Sequence, residues 1–214
     1  QEDSAKLLLF TYPDFRTLWF SGLFVNLAAA AFPVALAIAV LDAGGNAGAL
    51  GLILAARLAS SVLFSLLAGV LTDRISRKKV MFWADFLRGI LSVVIVFATD
   101  APLWFFAVIL FVMGAGEAFI FPASGAILPS ILPEDKLPIG NAFRSISIRL
   151  TAIVGPGVGG ALIALAGSKV TFLVLGILYF VGSILILPIK ENREGETPHD
   201  SGSVFHEIRE GIKL

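Results

Sequence analysis

Cysteine is absent from this 214-residue sequence, and its two histidines, His199 and His206, both fall in a polar tail. A chain without cysteine has no disulfide, no thiolate metal ligand and no cysteine nucleophile. The placement of the histidines argues against an imidazole-based active site. Charge is also scarce, because only 15% of the residues are charged, where about a quarter is usual. The 16 basic residues balance the 16 acidic ones, so the net charge gives no reason to expect a nucleic-acid partner. We therefore predict that the protein is not an enzyme and uses no cofactor or metal.

Hydrophobic residues, by contrast, make up 57% of the chain and gather in long runs. A helix needs about 20 apolar residues to cross a hydrocarbon core of about 30 Å. Three runs carry no charge, and three others are interrupted by Arg57, by Asp85 with Arg88, or by Glu117. The pattern predicts an all-α membrane protein with six transmembrane helices, at residues 17–41, 48–71, 80–99, 102–128, 142–167 and 170–189.

The basic residues outside the span interiors are distributed unevenly. Nearly all of them lie before the first span, around the loops after the second and fourth spans, or in the tail, whereas Lys169 alone lies on the opposite side. Because positive loops are retained inside, we expect a multi-pass protein of the cell (inner) membrane with both termini in the cytoplasm. Residues 1–16 are then a cytoplasmic segment, 17–189 the bundle, and 190–214 a cytoplasmic linker with the start of an amphipathic helix. That helical pattern is still running at Leu214, which we interpret as a truncated chain.

A loop signature follows the second predicted span. The stretch from residue 69 to residue 79 reads GVLTDRISRKK and closely resembles the G-x-x-x-D-R-x-G-R-[RK] signature of the major facilitator superfamily, with Ser76 where the family prefers glycine. The resemblance implies a conformational latch that holds one state closed on the cytoplasmic side. A simpler interpretation is a basic loop that only fixes the topology. The residues that would form the latch are Gly69, Asp73, Arg74, Arg77 and Lys78.

A second resemblance lies in the fifth predicted span, where GPGVGG at 155–160 is similar to the G-P-x-x-G-G motif of the exporter branches of this superfamily. Thr151 stands where that motif has an earlier glycine. The resemblance implies a bent, close-packed helix that favours export, and the structural alternative is an ordinary kinked packing helix. The chain as a whole is similar to bacterial siderophore, macrolide and multidrug exporters, over the first six of the family's usual twelve helices. The matching motif residues are Gly155, Pro156, Gly159 and Gly160.

Besides Arg144 and Arg149 at the start of the fifth span, four charged residues lie inside the predicted spans, where a central charge costs roughly 2.5–3.5 kcal/mol even on translocon scales. At a rise of about 1.5 Å per residue, Arg88 and Glu117 reach similar depths in neighbouring spans, and Asp85 lies one turn from Arg88. Two interpretations stay open. Arg88 and Glu117 form a neutralising pair, or Glu117 accepts a proton in the transport path. Arg57 has Asp42 as its candidate partner, and the alternative role for Asp42 is to cap the external loop.

These features predict a secondary active transporter that exports hydrophobic or amphipathic small molecules by proton antiport with alternating access. Its partners would be the lipid bilayer, a small-molecule substrate, protons, and either a missing C-terminal six-helix half or a second copy. The resemblance places the substrate cavity on the first and fourth spans, lined by Asn26, Phe32, Glu117 and Phe121. The alternative is a self-pairing six-helix half-transporter, or a structural membrane module without transport of its own.

Overall fold

Helices account for the fold of the described chain. The computed structural model describes residues 8–98 and 101–191, without the side chains of residues 70–74. Two short 3-10 turns, Leu128–Ser130 and Glu134–Lys136, precede the last long helix. The predicted amphipathic helix at the end of the tail lies outside the described residues. The five long helices are α1 (Pro13–Asp42), α2 (Ala47–Arg74), α3 (Arg77–Phe97), α4 (Leu103–Ala126) and α5 (Leu137–Ile186).

All five helices are long and apolar enough to cross a membrane. The prediction of an all-α membrane protein is therefore confirmed at the level of fold class. The need for an apolar surrounding is clearest at α2, because only 11% of its most apolar 18-residue stretch is buried within the chain. Its outward side chains require lipid or another apolar surface around them. Leu52, Leu58, Val62 and Leu66 are between 66% and 72% exposed.

Proline, glycine and serine mark the helix ends. Pro13 occupies the first turn of α1, where its missing N–H would have had no partner in the helix. After α1 the chain turns through Gly44, which has a φ of +80° that glycine adopts without a steric penalty. Ser76 caps α3, since its Oγ accepts a hydrogen bond from the backbone N–H of Lys79 at 3.4 Å. Local sequence thus fixes where these helices begin and end.

Helix α5 contains a reversal rather than one continuous 50-residue rod. Gly167 has non-helical backbone angles, φ 78° and ψ 172°, and it separates the segments 137–166 and 168–186. Along the first segment the contacted residue numbers of α1 rise, from Ala30 beside Gly155 to Val34 beside Gly160. Along the second segment they fall, from Phe32 beside Phe172 to Val25 beside Gly182. The first segment therefore runs parallel to α1, and the second runs antiparallel to it.

Small residues allow close helix contacts. Helix α1 packs along α5, α2 packs along α4, and α3 packs against both α4 and α5. A Cβ atom on Gly89 of α3 would meet the Phe180 ring of α5 at 2.7 Å. Ser21 of α1 donates from Oγ to the carbonyl oxygen of Gly182 at 2.7 Å. Such contacts are typical of membrane bundles, which lack a hydrophobic driving force between helices.

The main apolar core fills one end of the bundle. It combines the second half of α1 with the start of α2, the end of α3, the start of α4 and the start of the second α5 segment. Phe32 and Phe172 pack edge to face within it, with ring centroids 5.4 Å apart. Smaller clusters around Met81 and around Phe15 lie toward the other end. The packing therefore closes one end of the bundle and leaves room at the other.

Candidate functional site

A cavity of about 710 Å³ lies between the helices. All five helices contribute to its walls, which are mostly apolar. On α2 the lining residues Ser61, Ser65 and Gly69 are spaced by four, so they share one face of the helix. The residues with polar or charged side chains in its lining are Trp19, Ser21, Asn26, Ser61, Ser65, Asp85, Arg88, Glu117, Ser124, Arg144 and Ser147.

The cavity is confined to the end of the bundle where α1, α3 and α5 begin and where α2 and α4 end. Its lining falls between residues 15 and 29 on α1, 61 and 69 on α2, and 81 and 88 on α3. The remaining walls come from the last part of α4 and the first part of α5. The opposite end is closed by the main apolar core. The cavity and the main apolar core therefore occupy opposite ends of the bundle.

Glu117 on α4 is the centre of a charge cluster on the cavity wall. Arg57 of α2 donates to Glu117 from Nε to Oε2 at 2.9 Å and from Nη2 to Oε1, and Arg88 Nη2 of α3 donates to Oε1 at 2.9 Å. The Glu117 side chain remains 26% exposed, whereas that of Arg88 is 4% exposed. The structure thus brings together Arg88 and Glu117, as the pair interpretation requires. The proposed pairing of Arg57 with Asp42 is wrong, because counting along a helix gives depth but not the direction in which a side chain points.

Arg88 links this cluster to a second carboxylate, Asp85, one turn earlier on α3. Arg88 Nη1 donates to Asp85 Oδ1 at 3.2 Å, and both side chains are buried. The guanidinium lies 4.5 Å from the ring centroid of Tyr179 on α5, which adds a cation–π attraction. With two arginines and two carboxylates, the cluster is electrically neutral when all four are ionised. Within the described residues, no group of three or more His, Cys, Asp or Glu is placed to hold a metal ion.

A close crossing of α2 and α4 brings Arg57 to Glu117. A Cβ atom on Gly114 of α4 would overlap the backbone carbonyl of Arg57, so glycine is needed for this approach. Ser60 of α2 donates from Oγ to the carbonyl oxygen of Phe111 at 2.6 Å, which ties the two helices together at the same level. Glu117 follows Gly114 by about one helical turn and is thereby held beside Arg57. Neither Gly114 nor Ser60 was predicted as a site residue, since a lone glycine and a lone serine carry no pattern of their own.

Three of the four predicted cavity residues line this cavity: Asn26, Glu117 and Phe121. Phe32 does not, and its prediction is wrong. Its side chain is only 1% exposed and packs in the main core. Phe32 lies on the same helix as Asn26 but six residues further on, beyond the level at which the cavity ends.

Sequence reasoning missed the cation Arg144 as a cavity residue. Its Nη2 donates to Ser124 Oγ at 2.7 Å, and its guanidinium lies 6.0 Å from the ring centroid of Phe121. The spacing of Ser61 and Ser65 by four residues was the available signal for the α2 wall. Arg144 was not predicted as a cavity residue, because the positive-inside rule already explained a basic residue at that end of the span.

Comparison with known families places this cavity in context. A family model described as Major Facilitator Superfamily matches residues 18–211. The chain belongs to the major facilitator superfamily. The resemblance based on the loop and helix motifs is therefore confirmed, and the protein is a multi-pass membrane protein of a transporter family.

Several curated members of the superfamily are similar to this chain. Macrolide efflux protein A of Enterococcus faecalis is 29% identical over 152 residues, which cover 68% of this chain and 46% of that protein. Macrolide efflux protein A of Streptococcus pyogenes is 25% identical over 206 residues, or 94% of this chain and 50% of that protein. The uncharacterized MFS-type transporter YfiS of Bacillus subtilis is 25% identical over 150 residues, or 69% and 36%. The chain spans about half the length, or less, of these relatives.

The signature loop of this major facilitator chain joins α2 to α3 and contacts the chain that follows α5. Lys78 Nζ donates to the carbonyl oxygen of Ile189 at 2.8 Å. The Glu191 carboxylate accepts from Ser76 Oγ at 2.7 Å and from the backbone N–H of Arg77 at 3.2 Å. A carboxylate at the start of α3 and an ammonium just after α5 both complement the dipoles of those helices. The loop therefore fastens the start of α3 to the end of α5.

The other latch residues of the superfamily signature have different positions. Gly69 lines the cavity on α2. The side chains of Asp73 and Arg74 lie outside the described residues, although α2 extends through Arg74. A latch role for these residues stays a prediction.

The exporter-type motif divides between two faces of α5. A Cβ atom on Gly155 would meet the Ala30 Cβ at 2.5 Å, and one on Gly159 would meet the Ala31 carbonyl oxygen at 2.6 Å. These two glycines thus allow α5 to pack closely on α1. Pro156 is exposed, and a Cβ on Gly160 would meet only ordinary van der Waals contacts. The packing interpretation accounts for Gly155 and Gly159, and it leaves the face of Pro156 unexplained.

Proposed function

We propose that this chain forms the N-terminal, six-helix half of a proton-driven exporter of hydrophobic or amphipathic small molecules. The observation that carries the proposal is a mostly apolar cavity at one end of the bundle, with an arginine–carboxylate cluster on its wall. Five further considerations support it: the number of spans, their orientation, the cavity chemistry, the placement of the carboxylates and the motifs.

Six membrane crossings follow from five helices if α5 crosses twice. A continuous 50-residue helix would extend about 75 Å, far beyond a hydrocarbon core of about 30 Å. The reversal at Gly167 instead gives two segments that each lie along α1. Each of the segments 137–166 and 168–186 is long enough for one crossing.

We propose that the cavity end of the bundle faces the cytoplasm. The cavity lies at the end of the bundle that carries Arg77, Lys78 and Lys79, and the positive-inside rule assigns that end to the cytoplasm. Lys169, two residues after the reversal in α5, lies at the opposite end. A substrate would therefore enter this conformation from the cytoplasm or the inner leaflet of a cell (inner) membrane, as an exporter requires.

The cavity chemistry suits an amphipathic guest. Its volume of about 710 Å³ lies in the range of about 300–1,000 Å³ for small-molecule sites, which are mostly apolar with a few placed polar groups. Asn26, Ser61 and Ser65 supply neutral hydrogen-bonding groups, while Phe121 supplies an aromatic surface that is 77% exposed. The names of both macrolide efflux relatives fit a large amphipathic substrate, and we extend that class to this chain.

Proton coupling would use the carboxylates of the cluster. Asp85 and Glu117 both line the cavity, and ionisable groups inside a membrane span commonly mark a proton or substrate pathway. Moving one charge across the membrane is worth about 2.3 kcal/mol per 100 mV, which can drive substrate uphill. Alternating access would then close this cavity and open the end that the apolar core now seals.

In the proposed cycle, the two motifs would form the contacts between this chain and a second six-helix half. We propose that Asp73, with Arg74 and Arg77, forms a latch with a C-terminal six-helix half, and that the exposed face of Pro156 packs against that half. The broad outward apolar face of α2 is available for the same partner. A second copy of this chain is the alternative partner, which would make the protein a self-pairing half-transporter or a structural membrane module.

Dye and drug efflux tests this proposal. Cells that carry the complete reading frame should accumulate less ethidium, Hoechst 33342 or erythromycin than cells with an empty vector, and a protonophore should remove the difference. Cells that carry residues 1–214 alone are the matched comparison. Efflux by residues 1–214 alone would favour the self-pairing alternative, and no efflux of any compound by the complete protein would contradict the proposed function.

A further inference from the structure

The two carboxylates of the charge cluster are bound very unequally. Glu117 accepts three hydrogen bonds from two arginines. Asp85 accepts one hydrogen bond that the structure describes, from Arg88 Nη1 to Oδ1 at 3.2 Å. Within the described chain, Asp85 Oδ2 therefore keeps its lone pairs for a proton, while both Glu117 oxygens are already engaged by guanidinium groups.

We propose that Asp85, rather than Glu117, is the carboxyl group that takes up and releases the transported proton, and that Glu117 is the fixed counter-ion of the two arginines. This inference rests on the proposed proton-driven transport. It identifies the proton-accepting group of the cluster. The sequence left open whether Glu117 only neutralises Arg88 or accepts a proton itself.

Charge balance distinguishes the two carboxylates. Protonation of Asp85 at Oδ2 weakens one hydrogen bond, and Glu117 still faces both Arg57 and Arg88. Protonation of Glu117 weakens three hydrogen bonds and leaves Arg57 with no carboxylate partner among the described residues. An unpaired buried charge is much more costly than a neutral, hydrogen-bonded acid. The proton therefore binds at the site where its arrival disturbs the fewest ion pairs.

Asp85 borders the cavity, and its side chain is only 2% exposed. Asp85 lines the cavity wall on α3 together with Arg88. The ionisable groups that face the cluster are Arg88 on the same helix, Arg57 on α2, Glu117 on α4 and Tyr179 on α5. Helix α1 faces the cavity only with uncharged side chains among its described lining residues, such as Asn26.

Arg88 would transmit the change of protonation. It bridges Asp85 and Glu117 through two different nitrogens, and the Tyr179 ring holds its guanidinium from the third side. When Asp85 is protonated, Nη1 loses its ionic partner, and Arg88 is attracted by Glu117 alone. Since Glu117 lies on the cavity wall beside the substrate space, a proton on Asp85 alters the electrostatic field that a substrate meets.

The test compares Asp85→Asn, Asp85→Glu and Glu117→Gln in the full-length protein, reconstituted in proteoliposomes with Hoechst 33342 or erythromycin. A pH step of two units can drive about 100-fold accumulation per proton of a neutral substrate. Asp85→Asn should still exchange substrate down its own gradient, at a rate that no longer depends on pH, yet lose accumulation driven by the pH step. Asp85→Glu should restore that accumulation with a shifted pH profile. Full pH-driven accumulation in Asp85→Asn would overturn the inference.

A second measurement separates this inference from the proposed function and does not depend on transport. Infrared difference spectra of the purified protein between low and high pH should show the carbonyl stretch of a protonated carboxylic acid. That band should disappear in Asp85→Asn and persist in Glu117→Gln, and the reverse result would overturn the inference. If Asp85→Asn is poorly folded, Asp85→Asn with Arg88→Gln restores the charge balance and should also lack the band. A wild-type protein that shows the Asp85 band but no pH-driven transport would contradict the proposed function alone.

Discussion

Glu117→Gln should destabilise the protein by leaving Arg57 without a carboxylate. Removing one partner of a buried ion pair costs about 3–5 kcal/mol. Here the expected cost is lower, because the Glu117 and Arg57 side chains are 26% and 18% exposed, and water compensates part of the lost interaction. Arg88 also keeps Asp85 as a partner. We therefore expect a loss of about 2–3 kcal/mol of the free energy of unfolding.

The assay is equilibrium unfolding of the full-length protein in mixed detergent micelles, supported by the yield of folded protein. Glu134→Gln is the matched control, since it makes the same chemical change at an exposed turn and should leave stability unchanged. Glu117→Gln with Arg57→Gln should recover most of the loss, because the remaining Asp85–Arg88 pair is neutral. If Glu117→Gln is as stable as Glu134→Gln, the ion-pair account of the cluster is refuted.

Three further predictions concern packing, topology and the latch. Gly159→Leu should force α5 away from α1 and lower folded yield, whereas Gly157→Leu, with open space at its Cβ position, should be tolerated; equal yields would contradict the close contact. A cysteine in place of Ile75 should react with an impermeant maleimide only from the cytoplasm and one in place of Ala43 only from outside, and the opposite labelling would reverse the orientation. Asp73→Asn in the full-length protein should insert normally but transport poorly, because it removes a charge that stabilises one state, and wild-type transport rates would rule out a latch.

Composition and periodicity were sufficient for the class of fold. Apolar runs of about 20 residues predict membrane helices, because a helix satisfies its backbone hydrogen bonds within the run itself. The same runs separated the last two spans by residues 168–169 only. They could not reveal that the reversal takes place at Gly167, through its positive φ, with helix on both sides of it.

The charge cluster shows how far depth along a helix can be used. Counting residues placed Arg88 and Glu117 at the same level, and the structure brings them together. Counting could not show that Arg57 points at Glu117, since that depends on the azimuth of two helices and on the glycine at position 114 that lets them approach. The prediction of Phe32 as a cavity residue was wrong because a shared helix does not imply a shared environment. Phe32 lies on the same helix as the cavity residue Asn26 but packs among the core residues beyond the cavity.

The loop motif was recognisable because its residues are consecutive in the sequence. Its contacts with Ile189 and Glu191 were not predictable, since they join segments more than 100 residues apart that meet only after α5 has reversed. Long-range contacts of this kind depend on the whole bundle, so a local signature identifies the residues but not their partners.

Substrate-driven proton movement is the most direct test of export by proton exchange. The full-length protein would be reconstituted in proteoliposomes that contain a pH-sensitive dye, and Hoechst 33342 or erythromycin would be added on one side. Substrate moving down its gradient should drive protons in the opposite direction, and a protonophore should abolish the resulting pH change. Substrate movement without any protein-dependent pH change would contradict proton antiport through this cavity.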